Sequence, residues 1–457
     1  MAAQPNIVFV VPDQFRQQAL GCMDADPVIT PNFDRFASQA RVLTHAVSNY
    51  PVCSPYRAML FTGKYPYGNG VVGNCNSQTV PYGVYLKPDA QCFPDVLSDG
   101  GYDCGYVGKY HLDPPAEEDA RHGEGQRGDG RVWDAYTPPG QRRHGFNFWY
   151  SYGCCDKHLT PHYWVNDAPR ERPLEVNRWS VEHETDVAVS YIRNASGERD
   201  AGKPFALFVA FNPPHTPFQQ VPQEFVDMYG DVSPTDLLNR ANVRLDGPGK
   251  QAGEHAKNYF GAVTGIDYHF GRILNALDEA GLGDNTIVVF TADHGEMMGS
   301  HGRMHKNVWY DESLLIPFLI RWPERISPGQ DDLLLSVPDV MPTLLALAGL
   351  GTATPGDIDG RDLSGTLLGQ ACERPDSAFY LTPRFDNPEG GRRGVRTHRW
   401  VFVVDRQEHD PEKLFLFDCE KDPYQLENVA ESRPEIVSQM RGLLDQWLEK
   451  TGDPWGA

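Results

Sequence analysis

Asn6-Ile7-Val8-Phe9-Val10-Val11 is a short apolar stretch, typical of a strand that is buried on both faces of a sheet. Three further stretches of this kind occur along the chain, namely Tyr102 to Val107, Phe205 to Phe211 and Thr286 to Thr291. Helical patterns lie between and after the predicted strands, at Pro31 to Arg41, Trp179 to Arg193, Ala256 to Ala280 and Pro338 to Ala348. This alternation predicts an α/β protein with a large, mixed but mostly parallel sheet sandwiched by helices.

Charged and imidazole side chains follow all four predicted strands. They are Asp13 after the first, Lys109 and His111 after the second, His215 after the third, and Asp293 and His294 after the fourth. The carboxyl ends of parallel strands meet at one edge of a sheet, where α/β proteins bind their ligands. One shared site is therefore predicted. The alternative is that loops are polar for general reasons and these residues are unrelated.

The composition changes after Gly369, which predicts a second, smaller domain. Short apolar runs with turn residues between them follow from Phe379 to Phe417, and they predict a small antiparallel sheet. A helix from Pro434 to Leu448 is predicted to close this sheet. We place the boundary near residue 370, with an α/β domain over residues 1–370 and an α+β subdomain over residues 371–457.

Two segments are predicted to lie on the surface. Residues 113–145 are rich in Gly, Pro, Arg and acidic residues, which predicts a long loop or lid. Residues 149–179, here called the aromatic segment, contain six large aromatic side chains among polar neighbours. These are Trp149, Tyr150, Tyr152, Tyr163, Trp164 and Trp179. Exposed aromatic rings could stack on a ring-shaped substrate, and ordinary loop packing is the alternative.

Charge and composition exclude several classes of protein. The chain has 457 residues with 62 acidic and 41 basic side chains, and its net charge of −21 argues against a nucleic-acid partner. No apolar run approaches the ~20 residues of a membrane helix, and no signal peptide is recognisable. We therefore expect a cytoplasmic protein, or a periplasmic or secreted one whose leader was removed. Nine cysteines without a CxxC pair argue against a disulfide framework. The oligomeric state is left open.

Cys53 has the sharpest chemical context in the sequence. Ser54-Pro55 is typical of a helix start, so Cys53 is expected at a helix N-terminus, where N–H groups and the helix dipole favour an anion. Arg57 follows one helical turn later on the same face. A sulfur in this environment is an activated nucleophile or part of an anion site. The alternative is a buried structural cysteine.

Cys53-Ser54-Pro55-Tyr56-Arg57 resembles the Cys-x-Pro-x-Arg signature of type I sulfatases, which belong to the alkaline-phosphatase superfamily. The resemblance extends over nearly the whole chain. Further matching motifs are Asn6 to Asp13, Ala58 to Gly63 with Tyr65-Pro66, Gly101-Tyr102 through Gly108-Lys109-Tyr110-His111, Thr291-Ala292-Asp293-His294-Gly295, His301-Gly302 before Lys306, and Phe417-Asp418 through Asp422-Pro423 to Glu427-Asn428. The resemblance implies an alkaline-phosphatase-like fold with the catalytic residues in the larger domain.

The resemblance also implies a cofactor and a modified residue. In this family the signature cysteine is oxidised to formylglycine by a maturation enzyme, which would act on Cys53. The resemblance implies a single divalent cation, which would be calcium, with magnesium and manganese as alternatives. Its implied ligands are Asp13, Gln14, the modified Cys53, Asp293 and His294. Carboxylate and amide oxygens suit a hard cation. Many family members have Asp in place of Gln14 and Asn in place of His294.

The implied reaction is hydrolysis of a sulfate monoester, on a sugar or an aryl group. Arg57 would hold the hydrated aldehyde, and Lys109 and Lys306 would bind sulfate oxygens. His215 would act as general acid with help from Lys306, and His111 as general base.

Two other functions are considered. The first is a phosphonate monoester or phosphodiester hydrolase of the same superfamily, because Gln14 resembles the residue of the phosphonate hydrolases at this position. The block with Lys109 and His111 favours a sulfate substrate over a phosphonate. The second is a non-catalytic binding protein in which Cys53 is never oxidised.

Overall fold

The structure is a computed structural model and describes residues 4–122, 130–406 and 411–456. The strands are β1 Asn6–Val10, β2 Arg41–Val47, β3 Asp103–Lys109, β4 Phe148–Tyr152, β5 His162–Val165, β6 Leu174–Glu175, β7 Phe205–Ala210, β8 Thr286–Thr291, β9 Phe318–Arg321, β10 Gly329–Ser336, β11 Ala378–Pro383, β12 Gly391–Arg396, β13 Trp400–Arg406 and β14 Lys413–Asp418. The α-helices are α1 Pro31–Ala37, α2 Cys53–Thr62, α3 Pro66–Asn69, α4 Phe93–Asp99, α5 Ser180–Arg193, α6 Gln223–Asp227, α7 Pro234–Leu237, α8 Lys250–Glu279, α9 Asp311–Leu314, α10 Val337–Leu347, α11 Ser364–Leu367 and α12 Pro434–Thr451.

The first ten strands form one large sheet in the order β10-β2-β9-β8-β1-β7-β3-β4-β5-β6. Strand β1 pairs in parallel with β7 and β8, and β3 pairs in parallel with β7 and β4. Strands β9, β5 and β6 pair with their neighbours in antiparallel orientation. The predicted mixed, mostly parallel sheet is confirmed.

The four strands predicted from the sequence are adjacent at the centre of this sheet, in the order β8-β1-β7-β3. Ile7 lies between Ala206 of β7 and Ile287 of β8 in the register of the sheet. Every residue of these four strands is buried, which explains why their sequences are apolar without alternation. Their carboxyl ends meet at one edge, called here the carboxyl edge.

Two groups of helices cover the sheet. The long helix α8 packs against α5, α1, α6 and α7, whereas α2 packs against α10 and α4. Three predicted helices correspond to α5, α8 and α10. The predicted helix from Pro31 to Arg41 is too long, because α1 ends at Ala37 and Arg41 begins strand β2. Within the described ranges no helix has both the length and the apolar character of a membrane span.

The aromatic segment is not an exposed insertion, so that prediction was wrong. The segment contributes most of β4 and all of β5 and β6 to the large sheet, and all six aromatic side chains are buried. Tyr163 packs on Tyr150 with ring centroids 4.8 Å apart. Composition alone does not separate such strands from an aromatic loop. In the other predicted surface segment, residues 132–135 are also buried, and residues 123–129 lie outside the described residues.

The last four strands form a separate antiparallel sheet in the order β11-β12-β13-β14, and α12 packs on β12 and β13. The antiparallel sheet and closing helix are as predicted, while the boundary near residue 370 stays a prediction. This sheet contacts the segment ahead of α2. The amide nitrogen of the Asn49 side chain donates to the carbonyl oxygen of Phe379 at 2.6 Å, and the Leu381 N–H donates to the carbonyl oxygen of Asn49 at 3.0 Å. The small sheet therefore helps to position the chain that leads to Cys53.

Candidate active site

The predicted site residues lie together at the carboxyl edge. Asp13 follows β1, and its backbone pairs with Pro214 after β7, which places His215 beside it. Lys109 is the last residue of β3, and Asp293 follows β8. The sheet thus brings together side chains that are far apart in the sequence. The roles assigned to them stay predictions.

Cys53 is the first residue of α2 and is 2% exposed. Its sulfur lies 3.6 Å from Asp13 Oδ1 and 3.5 Å from His294 Nε2. The ammonium nitrogens of Lys306 and Lys109 are 3.5 and 3.9 Å from the same sulfur. Burial and Asp13 would raise the pKa of the Cys53 thiol, but Lys109, Lys306 and the neighbouring His111 lower it well below its usual range. The site therefore stabilises negative charge on residue 53.

One backbone N–H group at the N-terminus of α2 has a side-chain partner. The backbone N–H of Ser54 donates to Asn74 Oδ1 at 3.0 Å, so one of the unpaired N–H groups of the helix is occupied. The Ser54 hydroxyl donates to the carbonyl oxygen of His111 at 2.7 Å. These contacts attach the start of α2 to the segment after β3. Negative charge at Cys53 is balanced mainly by lysine side chains.

Four side chains form a group that fits a divalent cation. Asp13, Cys53, Asp293 and His294 each offer one ligand atom, and all four atoms lie within 4.8 Å of one another. The two aspartates and the histidine are fully buried. Burial and the negative charge of Asp13 raise the pKa of Asp293 to about 7. Two buried carboxylates this close favour a positive charge between them, and this donor set suits a metal ion.

Gln14 lies next to this group, with its backbone in the left-handed region at a φ of 66°. Its side-chain oxygen accepts a hydrogen bond from Lys306 Nζ at 2.8 Å. Its side-chain nitrogen donates to Glu296 Oε2 at 2.5 Å. The side chain predicted as a metal ligand is thus held between a cation and an anion at the margin of the site.

Lys109 and Arg57 supply buried positive charge. Lys109 Nζ lies 2.6 Å from Asp13 Oδ2 and donates to Asn212 Oδ1 at 3.0 Å. Burial would lower the pKa of Lys109, but Asp13 raises it above its usual value, so the side chain stays charged. Arg57 Nη2 is 3.4 Å from Asp293 Oδ2, and Nη1 donates to the carbonyl oxygen of Lys109 at 2.6 Å.

Gly108 makes the position of Lys109 possible. Its φ is 100°, and a Cβ atom there would lie 2.2 Å from the carbonyl oxygen of Ala210. Only glycine fits between β3 and β7 at this point. The close approach of the two strands brings Lys109 within reach of Asn212.

Two histidines have one ring nitrogen fixed by a backbone carbonyl. His111 Nε2 donates to the carbonyl oxygen of Cys75 at 3.1 Å, which leaves Nδ1 as its basic nitrogen. His215 Nδ1 donates to the carbonyl oxygen of Thr216 at 2.7 Å, so Nε2 is the nitrogen that the predicted proton transfer would use. His215 also acts on Asp13. Burial would raise the pKa of Asp13, but the charges of Lys109, Lys306 and His215 hold it well below its usual range. The acid–base roles assigned to these two histidines stay predictions.

Two residues of the site were not assigned from the sequence. Asn212 follows β7 as Asp13 follows β1, and that position is the signal that could have identified it. Glu296 lies two residues after His294, is fully buried and contacts Gln14. A single amide or carboxylate after a strand is too common to be assigned a role without its contacts.

The site combines a cysteine whose sulfur is stabilised as an anion, a candidate cation site and several Lys and Arg side chains, in a chain of net charge −21. These features define a metal-dependent hydrolase of anionic esters. The model of the sulfatase family matches residues 5–350, and that of the N-sulphoglucosamine sulphohydrolase C-terminal region matches residues 299–450. The chain belongs to the sulfatase family and is a sulfuric ester hydrolase with the alkaline-phosphatase-like fold. The family is metal-dependent and uses formylglycine.

Relatives and solved structures agree with this family. An endo-4-O-sulfatase of Bacteroides thetaiotaomicron is 42% identical, over 99% of this chain and 94% of its own length. An ulvan-active sulfatase of Formosa agariphila is 32% identical, over 98% of this chain and 82% of its own. A solved sulfatase structure from Bacteroides fragilis superposes with a TM-score of 0.93 at 40% identity, and the match covers 99% of this chain and 97% of that one.

Proposed function

We propose that this sulfatase removes a sulfate group from a sugar, with residue 53 converted to formylglycine as its nucleophile. The proposal is carried by the position of the Cys53 sulfur, which lies 3.5–3.9 Å from a carboxylate, an imidazole and two ammonium groups. The similarity to an endo-4-O-sulfatase supports a sugar sulfate as substrate, and it makes a 4-O-sulfate the first one to test.

The proposed cation is calcium, with Asp13, Gln14, residue 53, Asp293 and His294 as its ligands. When bound, it would supply positive charge close to the sulfuryl group of the substrate. The predominance of oxygen donors supports a hard cation, while His294 also suits manganese. Magnesium is the third alternative.

The side chains around residue 53 would then divide the work of the reaction. The hydrated aldehyde of formylglycine supplies two hydroxyl groups, of which one attacks the sulfur and the other later loses its proton. Lys109 and Lys306 would bind the sulfate oxygens, and Arg57 would orient residue 53. His215 would donate a proton to the departing sugar oxygen, assisted by Lys306.

In the second stage, His111 would remove the remaining hydroxyl proton as sulfate is released. The attacking hydroxyl and the second hydroxyl of residue 53 each give up one proton, whereas the sugar oxygen gains one, so one proton leaves to solvent with the sulfate dianion. Water then rehydrates the aldehyde, His111 releases its proton and His215 takes one up. The site is then restored to its starting state.

Conversion of Cys53 requires a partner. Cys53 and Arg57 are both about 2% exposed, and α2 packs against α4 and α10. A formylglycine-generating enzyme would therefore meet this segment before α2 is packed. Mass analysis of the Cys53 peptide from the native host tests the conversion. An unmodified thiol there would support a binding protein instead of an enzyme.

A substrate comparison tests the proposed activity. Sulfated mono- and oligosaccharides, an aryl sulfate, a phosphate diester and a phenylphosphonate monoester are offered to the converted protein. The expected result is turnover of sulfate esters, with a 4-O-sulfated oligosaccharide preferred over the aryl ester. Preferential turnover of the phosphorus compounds would instead favour a phosphonate monoester or phosphodiester hydrolase.

A further inference from the structure

Glu296 is a buried carboxylate that the proposed reaction does not use. It is fully buried, and both of its oxygens face N–H donors. Oε1 accepts hydrogen bonds from the backbone N–H groups of Met298 at 2.9 Å and His305 at 2.7 Å. Oε2 accepts a hydrogen bond from the side-chain nitrogen of Gln14 at 2.5 Å. Glu296 therefore joins the loop before Lys306 to a side chain of the site.

The two neighbours of Gln14 determine which way round its amide stands. Glu296 needs a donor, so the amide nitrogen must face it. Lys306 has only donors, so the amide oxygen must face that side, where the Nζ–Oε1 distance is 2.8 Å. The reverse orientation would place oxygen against carboxylate and NH₂ against ammonium. The side that receives the oxygen is the site itself, since Lys306 Nζ is also 3.5 Å from the Cys53 sulfur and 3.8 Å from Asp13 Oδ1.

We propose that Glu296 is a positioning residue, which fixes the Gln14 amide so that its oxygen faces the cation site. The proposal rests on the proposed function, in which Gln14 is a ligand of the metal. A metal ion binds an amide through its oxygen and not through its NH₂ group. Without Glu296 the amide could turn over and present NH₂ to both the cation and Lys306.

An exchange of the two side chains tests this proposal. In Glu296→Gln the new amide keeps its oxygen on the N–H groups of Met298 and His305, so its NH₂ group faces Gln14. The Gln14 amide must then turn over. In Gln14→Glu two carboxylates meet at the 2.5 Å contact. In the double variant the carboxylate at position 14 accepts from the amide at position 296 and still offers an oxygen to Lys306. The net charge returns to that of the natural chain.

The measurements are calcium and manganese affinity by calorimetry on metal-stripped protein, and the melting temperature without metal. Because each single variant leaves buried polar groups mismatched, we expect both to melt earlier, and we expect Glu296→Gln to bind the cation roughly 10- to 100-fold more weakly. The double variant is expected within about threefold of the natural affinity, with its metal-free melting temperature restored. Glu184→Gln, a buried substitution of the same kind outside the site, is the matched control and should leave affinity unchanged.

The outcomes separate this proposal from the proposed function. If the double variant is no better than Glu296→Gln, Glu296 only holds the loop and the proposal is wrong. If the natural chain binds neither cation, the proposed function fails. The metal-free melting temperatures still decide about Glu296 in that case, because the mismatch at Gln14 exists without metal. Failure of the two proposals is therefore distinguishable.

Discussion

Buried acidic side chains have different partners in two regions of the molecule, the carboxyl edge of the large sheet and the surroundings of the aromatic segment. At the carboxyl edge, Asp13 lies 2.6 Å from Lys109 Nζ, and its pKa stays well below its usual range. Beside the aromatic segment, Glu184 of α5 accepts hydrogen bonds from the hydroxyl groups of Tyr163 at 3.0 Å and Tyr152 at 3.3 Å. Burial outweighs these contacts and raises the pKa of Glu184 to about 8.

The comparison distinguishes charged residues that serve the site from acidic residues that belong to the packed core. Burying an ionised pair is costly, so a cluster of such pairs in one place indicates a site that needs its charges. A carboxyl group that becomes neutral on burial needs no counter-charge and can belong to an ordinary core. Substitutions at the carboxyl edge should therefore mainly lower activity, whereas those in the aromatic segment should mainly lower stability.

The largest effect is expected at Cys53. Cys53→Ala removes the proposed nucleophile, so turnover of an aryl sulfate should fall by roughly 10⁴-fold or more. The melting temperature should change little, because the substitution removes only the oxygen atoms of formylglycine from a site built mainly of charged groups. Both are measured on protein from the same host, in which the natural chain is converted and the alanine variant cannot be. Activity at the natural level would remove Cys53 from the nucleophile role.

The next effect is expected in the aromatic segment. Trp164 is 1% exposed and its indole N–H donates to the carbonyl oxygen of Arg170 at 3.0 Å. Trp164→Ala should lower the free energy of unfolding by about 3–5 kcal/mol, measured by denaturant unfolding. The KM of the folded enzyme for sugar sulfates should not change. A stable variant with a raised KM would mean that the segment binds substrate.

These two regions also show what the sequence could and could not predict. The strands β1, β3, β7 and β8 were predictable, because central parallel strands are apolar throughout and their polar residues follow at one edge. Strand β10 was missed because its first half is largely exposed and polar. The aromatic segment was misplaced because strand and loop share the same composition. Side-chain partners such as Asn212 and Glu296 depend on contacts across the sheet, which no local pattern contains.

A smaller effect is expected at His215. If His215 protonates the departing oxygen, His215→Ala should slow alkyl or sugar sulfates by about 100-fold. An activated aryl sulfate has a good leaving group and needs little protonation, so it should lose much less. The ratio of kcat values for the two substrates measures this difference. Equal losses on both substrates would exclude the general-acid role.

The smallest effect concerns Glu184, where a substitution is expected to raise the free energy of unfolding instead of lowering it. Its pKa of about 8 in the folded chain lies above the usual value of 4.5, so folding favours the protonated carboxyl group. Between those two pH values the unfolded chain has lost this proton and the folded chain keeps it. The contribution of Glu184 to stability therefore falls as pH rises, by up to about 1.4 kcal/mol per pH unit.

Glu184→Gln removes this loss of stability at higher pH, because glutamine does not ionise, and it keeps an oxygen for Tyr152 and Tyr163. The variant should therefore be more stable than the natural chain by about 1–3 kcal/mol at pH 7, and as stable at pH 5 or slightly more so. Denaturant unfolding at pH 5, 7 and 8 measures the difference. A variant that is less stable at every pH would show that Glu184 is ionised and needed as a charge. The aromatic segment would then resemble the carboxyl edge, and the distinction between the two regions would fail.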